Sequence, residues 1–307
     1  MKNISPYIKP RNNTVNAVMF DVIIALLPLI AVAYWAFGML ALKIIGTAIL
    51  VACLTEFVFS ILLLKKKTSV LDGSAIITAL LLSFTLSPNT PLEIVAFGSF
   101  CAIIFGKILW GGLGKNKFNP ALIGREFMAV FFASVMTSSS IWKTSEFVQN
   151  KVNDLFPGIK YVYLEGYLNG LIYKTSGALG EYSILAILLG GFYLILKNRI
   201  SWHIPFALLS TFTALFWLIP DSDDYKFSLA GILLGTLFMA TDMPSSPTTS
   251  QGKLYYGAMI GLTTFIFIAG SIRYEYLSYA ILLLNAFSSK ISIVFIPRVW
   301  EKIQTGK

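Results

Sequence analysis

Ten apolar runs recur along the chain, at about residues 19–37, 40–64, 73–87, 92–113, 118–136, 181–197, 202–219, 227–241, 254–272 and 276–297. Several are about 20 residues long, and a helix of that length crosses the ~30 Å hydrocarbon core of a bilayer. A segment in hydrocarbon must satisfy its own backbone, and a helix does so without neighbours. Charged residues are only 13% of the chain, against roughly 25% in a soluble domain. The sequence therefore predicts an all-α polytopic membrane protein of about ten transmembrane helices. The N-terminal region before the first run is polar, so no cleavable signal is expected.

The net charge of +9 does not point to nucleic acid, because the basic residues sit in short linkers between apolar runs. With the N-terminus in the cytoplasm, Lys2, Lys9, Arg11, Lys65, Lys66, Lys67, Lys115, Lys117, Lys197, Arg199, Lys253, Arg298, Lys302 and Lys307 all fall inside. The short outer loops then hold Lys226 and Arg273, beside the acidic Asp221, Asp223 and Asp224. The positive-inside rule selects this orientation, with both termini cytoplasmic and the loop 137–180 outside.

The third and eighth runs are short, and each ends in a Pro-x-x-Pro segment. Gly73–Leu86 leads into Pro88 and Pro91, and Phe227–Ala240 leads into Pro244 and Pro247, 156 residues later. Each is third in a group of five, and an odd number of spans turns the second group upside down. Short, proline-interrupted segments at matching places point to broken helices around a central site. The expected organisation is one membrane domain, 1–307. It divides into a first five-helix half (1–136), an outer loop (137–180) and an inverted second half (181–307), with a short broken helix third in each.

Charges inside spans are costly and usually face protein. Here they are Asp21, Lys43, Glu56, Lys107, Arg125, Glu126 and Lys290. Glu56 has apolar neighbours on both sides and is a candidate for a cation or proton relay. Asp21 and Glu126 are further ion-path candidates. Asp21 and Lys43 also lie near run ends, where snorkelling accounts for them, and Arg125 with Glu126 reads as a self-neutralising pair. The single histidine, His203, and the isolated Cys53 and Cys101 give no metal site. On these features alone, a channel or secondary transporter of a small solute, without a flavin, fits as well as an electron-transfer subunit.

One further stretch stands out, Gly111-Gly112-Leu113-Gly114-Lys115-Asn116-Lys117-Phe118-Asn119-Pro120 and on to Gly124. Its glycines allow close backbone approach. Asn119 followed by Pro120 reads as a helix cap and first helical residue.

Taken together, several blocks resemble RnfD, the large membrane subunit of the Rnf ion-translocating electron-transport complex, with NqrB more distant. They are Ser5-Pro6, Asp21 to Pro28, Asp72-Gly73-Ser74 to Thr78, the Gly111–Gly124 stretch, Gly177 to Ser183, Ile200 to Pro205, and Met239 to Asp242 with the following Pro-Ser-Ser-Pro. The resemblance implies a multi-pass subunit of a bacterial inner membrane, surrounded by lipid and by other Rnf subunits. Electrons would pass between ferredoxin and NAD+ through those partners, coupled to Na+ or H+ movement. It also implies FMN joined through a phosphodiester to a threonine of the outward loop, with riboflavin as a second flavin. The family's Ser-Gly-Ala-Thr attachment motif does not occur; Ser176-Gly177-Ala178-Leu179 carries leucine at the acceptor position. Thr144 is the best positional match for the acceptor, with Thr175 and Thr137 as alternatives.

Overall fold

The computed structural model describes residues 15–65, 69–138, 178–218, 228–270 and 276–295, and among these it is helical with no strand. Each apolar run contains one main helix, and the run 118–136 adds a short helical turn, Ala133–Met136. The first half comprises α1 (Val15–Phe37), α2 (Met39–Leu64), α3 (Ser74–Phe84), α4 (Leu92–Gly106) and α5 (Pro120–Phe131). The second comprises α6 (Ile184–Leu196), α7 (His203–Leu218), α8 (Leu229–Leu234), α9 (Ser250–Ala269) and α10 (Tyr276–Val294). Five segments are long and apolar enough to cross a membrane: α1, α2, Leu92–Trp110, α9 and α10. The protein is an all-α polytopic membrane protein. Phe20, Leu27, Leu50, Leu54, Leu62 and Phe192 point out of the bundle, which hydrocarbon tolerates and water would penalise.

The third helix of each half is short. At 11 residues, α3 rises about 16 Å, half the hydrocarbon thickness. In the second half, α8 runs on into a π-helical turn, Gly235–Met239, closed by the Ala240 amide donating to the Gly235 carbonyl at 2.8 Å.

Three helix contacts of the first half have counterparts in the second. Helix α2 packs on α4 as α7 packs on α9; α4 packs on α5 as α9 packs on α10; α1 meets α3 as α6 meets α8. Two pairs join the halves, α1 with α6 and α5 with α10. Small residues set these distances, as is usual where no water drives helices together. A Cβ on Gly124 of α5 would lie 2.5 Å from the Gly98 carbonyl oxygen and 2.7 Å from Ala102 Cβ of α4. On α9, Gly257 and Gly261 press in the same way on the Ile204 and Leu208 carbonyls of α7.

This contact yields a test. Gly124→Ala should destabilise the protein by about 1–3 kcal/mol, because the Gly98 carbonyl and Ala102 cannot swing aside. Gly46→Ala, on an exposed face of α2 with nothing within 4 Å, should be neutral or stabilising. Thermal unfolding in detergent reads both, and equal midpoints for the two variants would refute the packing argument.

Candidate functional site

The polar residues of the bundle gather where the two short helices begin and end. A helix that stops inside the membrane leaves N–H and C=O groups that water does not reach. The structure shows which side chains meet them.

Helix α3 begins under a carboxylate. Gly73, at φ 79°, precedes it. The Ser74 amide donates to Asp72 Oδ1 at 2.8 Å, and the Ser74 hydroxyl donates to the same oxygen. Lys107 reaches this point from the end of α4. Its Nζ donates to Ser74 Oγ and to Glu56 Oε1, the latter at 2.6 Å. Glu56 is 0% and Lys107 2% exposed. Lys107 sits where the backbone leaves the α4 helix, at φ −130° and ψ −59°. This is the deepest ion pair among the described residues, and it joins α2, α3 and α4. The sequence marks both charges but does not pair them, since 51 residues separate them.

Helix α8 begins in a related way. The Ser228 hydroxyl accepts from the Gly231 amide at 2.9 Å and donates to Glu181 Oε2 at 2.8 Å, while the Ser228 amide donates to the Tyr276 hydroxyl at 2.8 Å. Glu181 lies so close to Gly231 that a Cβ there would come within 2.6 Å of its Oε1. A carboxylate beside a helix N-terminus is favoured by the helix dipole.

The two short helices end against hydrogen-bond donors. At the end of α3, the Thr85 carbonyl accepts from the Arg125 guanidinium of α5, and the Leu86 carbonyl accepts from the Leu179 amide at 2.9 Å. The Arg125 guanidinium therefore does more than face its neighbour Glu126: it meets the end of α3. Glu126 is half-buried.

At the end of α8, the Met239 carbonyl accepts from Asn119 Nδ2 at 3.1 Å. Asp242 Oδ2 accepts from Asn116 Nδ2 at 3.1 Å and from the Ser245 hydroxyl at 2.7 Å. The Asn285 amide of α10 closes the group, accepting from the Asn119 amide at 3.1 Å and donating to the Ser245 carbonyl at 3.2 Å and to the Tyr256 hydroxyl. The Gly111–Gly124 stretch is thus a corner that holds the second break. Gly111, Gly112 and Gly114 take φ values of 103°, 94° and 80°, which L side chains rarely adopt. Asn119 also caps α5, accepting from the Ala121 and Leu122 amides, with Pro120 first in the helix. Asp242 is not a candidate on sequence alone, because there it belongs to a proline-rich linker.

Asp21 accepts from Arg199 Nε at 2.6 Å and from the Tyr193 hydroxyl at 3.0 Å. This ties α1 to the end of α6, so its charge is met by a cation that stays protonated. His203 Nδ1 lies 2.8 Å from the Ser201 hydroxyl, and its ring stacks on Trp202. Thr137 is exposed, just beyond α5, its hydroxyl donating to the Ala133 carbonyl at 2.7 Å. Thr144 and Thr175 lie outside the described residues. Three buried hydroxyls, Thr90, Thr236 and Thr264, have no hydrogen-bond partner among the described residues. Thr90 sits at the first break and Thr236 in the π turn of α8.

The arrangement defines a class: a polytopic membrane protein whose two short helices are held by buried ion pairs and amides, with ionisable groups sealed inside the bundle. The family model described as NQR2, RnfD, RnfE family matches residues 1–301, and the chain belongs to that family. Among its relatives are the D-type subunits of three ion-translocating complexes. That of the Na+-translocating ferredoxin:NAD+ oxidoreductase complex of Acetobacterium woodii is 38% identical, over 92% of this chain and 89% of that protein. That of the proton-translocating ferredoxin:NAD+ oxidoreductase complex of Clostridium ljungdahlii is 35% identical, over 92% and 90%. That of the ion-translocating oxidoreductase complex of Methanosarcina acetivorans is 32% identical, over 95% and 94%.

Removing one partner of a buried pair strands a charge. Glu56→Gln or Lys107→Met alone should cost about 3–5 kcal/mol, and the double variant much less than their sum. Denaturation of the detergent-solubilised protein checks this. Additive costs would mean that the two groups do not interact.

Proposed function

We propose that this chain is the flavin-carrying membrane subunit of an Rnf-type complex, passing electrons between ferredoxin and NAD+ by way of partner subunits and coupling that transfer to Na+ or H+ movement. It is then a subunit of an ion-translocating oxidoreductase and is inactive alone. The observation that carries this reading is full-length similarity to relatives named for that reaction, in a chain that itself keeps a charged pair sealed in its membrane interior.

The proposed location is the bacterial inner membrane, with both termini cytoplasmic, the two five-helix halves inverted and the loop 137–180 outside. FMN would be esterified to Thr144, with Thr175 and Thr137 as alternatives, and riboflavin would be a second flavin. Of these threonines, Thr137 has an exposed hydroxyl beyond α5, which fits a phosphodiester acceptor. The unpartnered hydroxyls of Thr90 and Thr236 fit hydrogen bonding to a polar group such as a flavin ring. A bound flavin supplies one- and two-electron transfer with accompanying protons. The protein's own part is to hold charges in a dry interior. Glu56 with Lys107 is the leading ion-path element, Glu126 a second, and Asp21 a third that is already committed to Arg199.

One peptide map tests cofactor and orientation together. With the flavin-attaching enzyme present, mass spectrometry should find FMN on the peptide containing Thr144, and Thr144→Ala should remove it. A membrane-impermeant amine reagent applied to intact cells should label Lys151, Lys160 and Lys174 and spare Lys115 and Lys117. Peptides unmodified throughout would refute covalent FMN, and the reverse labelling pattern would refute the orientation.

A further inference from the structure

Lys107 stands between two carboxylates of unequal access. On one side its Nζ donates to Glu56 Oε1 at 2.6 Å, and that residue is fully sealed. On the other it donates to Ser74 Oγ, whose hydroxyl donates to Asp72 Oδ1. Asp72 is half-buried, next to Leu71, which is 77% exposed. The four groups form an unbroken hydrogen-bonded row from the edge of the bundle to its interior.

We infer that Lys107 is a proton-relay residue, and that the row Asp72–Ser74–Lys107–Glu56 carries a proton between the accessible start of α3 and the sealed Glu56. The inference rests on the reading above that Glu56 belongs to the ion path, and it names the ion taken up there as a proton.

The chemistry balances without any co-reactant. Lys107 gives a proton to Glu56 Oε1: an N–H bond breaks, an O–H bond forms, and ammonium plus carboxylate become amine plus carboxylic acid at unchanged net charge. Asp72 takes a proton from water at the accessible start of α3 and becomes a carboxylic acid. The Ser74 hydroxyl then rotates and passes its proton to the amine while its oxygen takes the proton of Asp72, which returns to the carboxylate it began as. The net result is one proton taken up and stored on Glu56.

A metal ion fits this place poorly. Hard cations gather about six oxygen ligands, whereas here a tethered ammonium already occupies the Glu56 carboxylate, with Lys107 only 2% exposed. Lysine suits a relay because a buried amine can lose its proton; arginine cannot. Cys53 lies one turn before Glu56 on α2. Asp21 on α1 is tied to Arg199 and Tyr193. Glu93 stands at the opposite end of α4 from Lys107, and Lys43 lies more than three turns before Glu56 on α2.

The test uses the intact complex in proteoliposomes, reading redox-driven proton movement with a pH dye and, separately, electron transfer with the gradient collapsed by ionophore. Three results are expected. Proton movement by the parent should persist in Na+-free choline buffer. Lys107→Arg, which keeps the cation, should lower the number of protons moved per electron transferred about a hundredfold. Ser74→Ala, which spares the Lys107–Glu56 pair, should slow proton movement with electron transfer intact, and this variant decides the matter if Lys107→Arg fails to assemble. Lys107→Arg pumping at the parental proton-to-electron ratio, Ser74→Ala behaving as the parent, or a strict requirement for Na+ would each overturn the relay and leave the proposed function standing. Parent vesicles that transfer electrons and move no ion would overturn both.

Discussion

A helix that ends within hydrocarbon exposes backbone groups that only the protein can satisfy, and the rest of this structure is arranged around that constraint. It bears on the two short helices, α3 and α8. In both places a serine under a carboxylate meets the first turn: Ser74 with Asp72, and Ser228 with Glu181. In both places donors from elsewhere meet the last carbonyls: Arg125 and the Leu179 amide for α3, Asn119 for α8 and its π turn.

The buried charges follow from the same logic. An isolated charge in the bilayer is costly, and the described ion pairs are short and shielded. Glu56–Lys107 locks three elements of the first half together, and Asp21–Arg199 joins the halves across α1 and α6. Such pairs add little net stability compared with apolar residues, because desolvation offsets their attraction. What they provide is polarity that can be put to use. Asp21 faces an arginine, which holds its proton; Glu56 faces a lysine, which can release one.

Much of the architecture is legible in the sequence. Run length and composition place the ten helices within a few residues, and the Pro-x-x-Pro pairs mark where the short helices stop. The cap formed by Asn119 and Pro120 is readable because capping depends on local order along the chain. Long-range pairing is not readable. Nothing in sequence spacing joins Glu56 to Lys107, Arg125 to Thr85, or Asn116 to Asp242 across 126 residues, since those contacts depend on which helix faces come together. The π turn at Gly235–Met239 is equally hidden, because its residues read as an ordinary apolar helix. The candidate flavin threonines Thr144 and Thr175 fall outside the described residues, and their part rests on the family resemblance.

Most of the backbone at both breaks is buried in protein rather than open to water, unlike a solute channel lined by the same helix ends. Phe84, Leu86, Ser87 and Thr90 are buried at the first break, and Ala240, Ser245 and Ser246 at the second. The Leu86, Thr90, Ala240 and Ser246 amides are hydrogen-bonded to nearby carbonyls. Hydrogen–deuterium exchange of the complex in lipid nanodiscs tests this most directly. These four amides should exchange as slowly as those in the middle of α2 and α9. Exchange at the rate of an open, hydrated loop would contradict it.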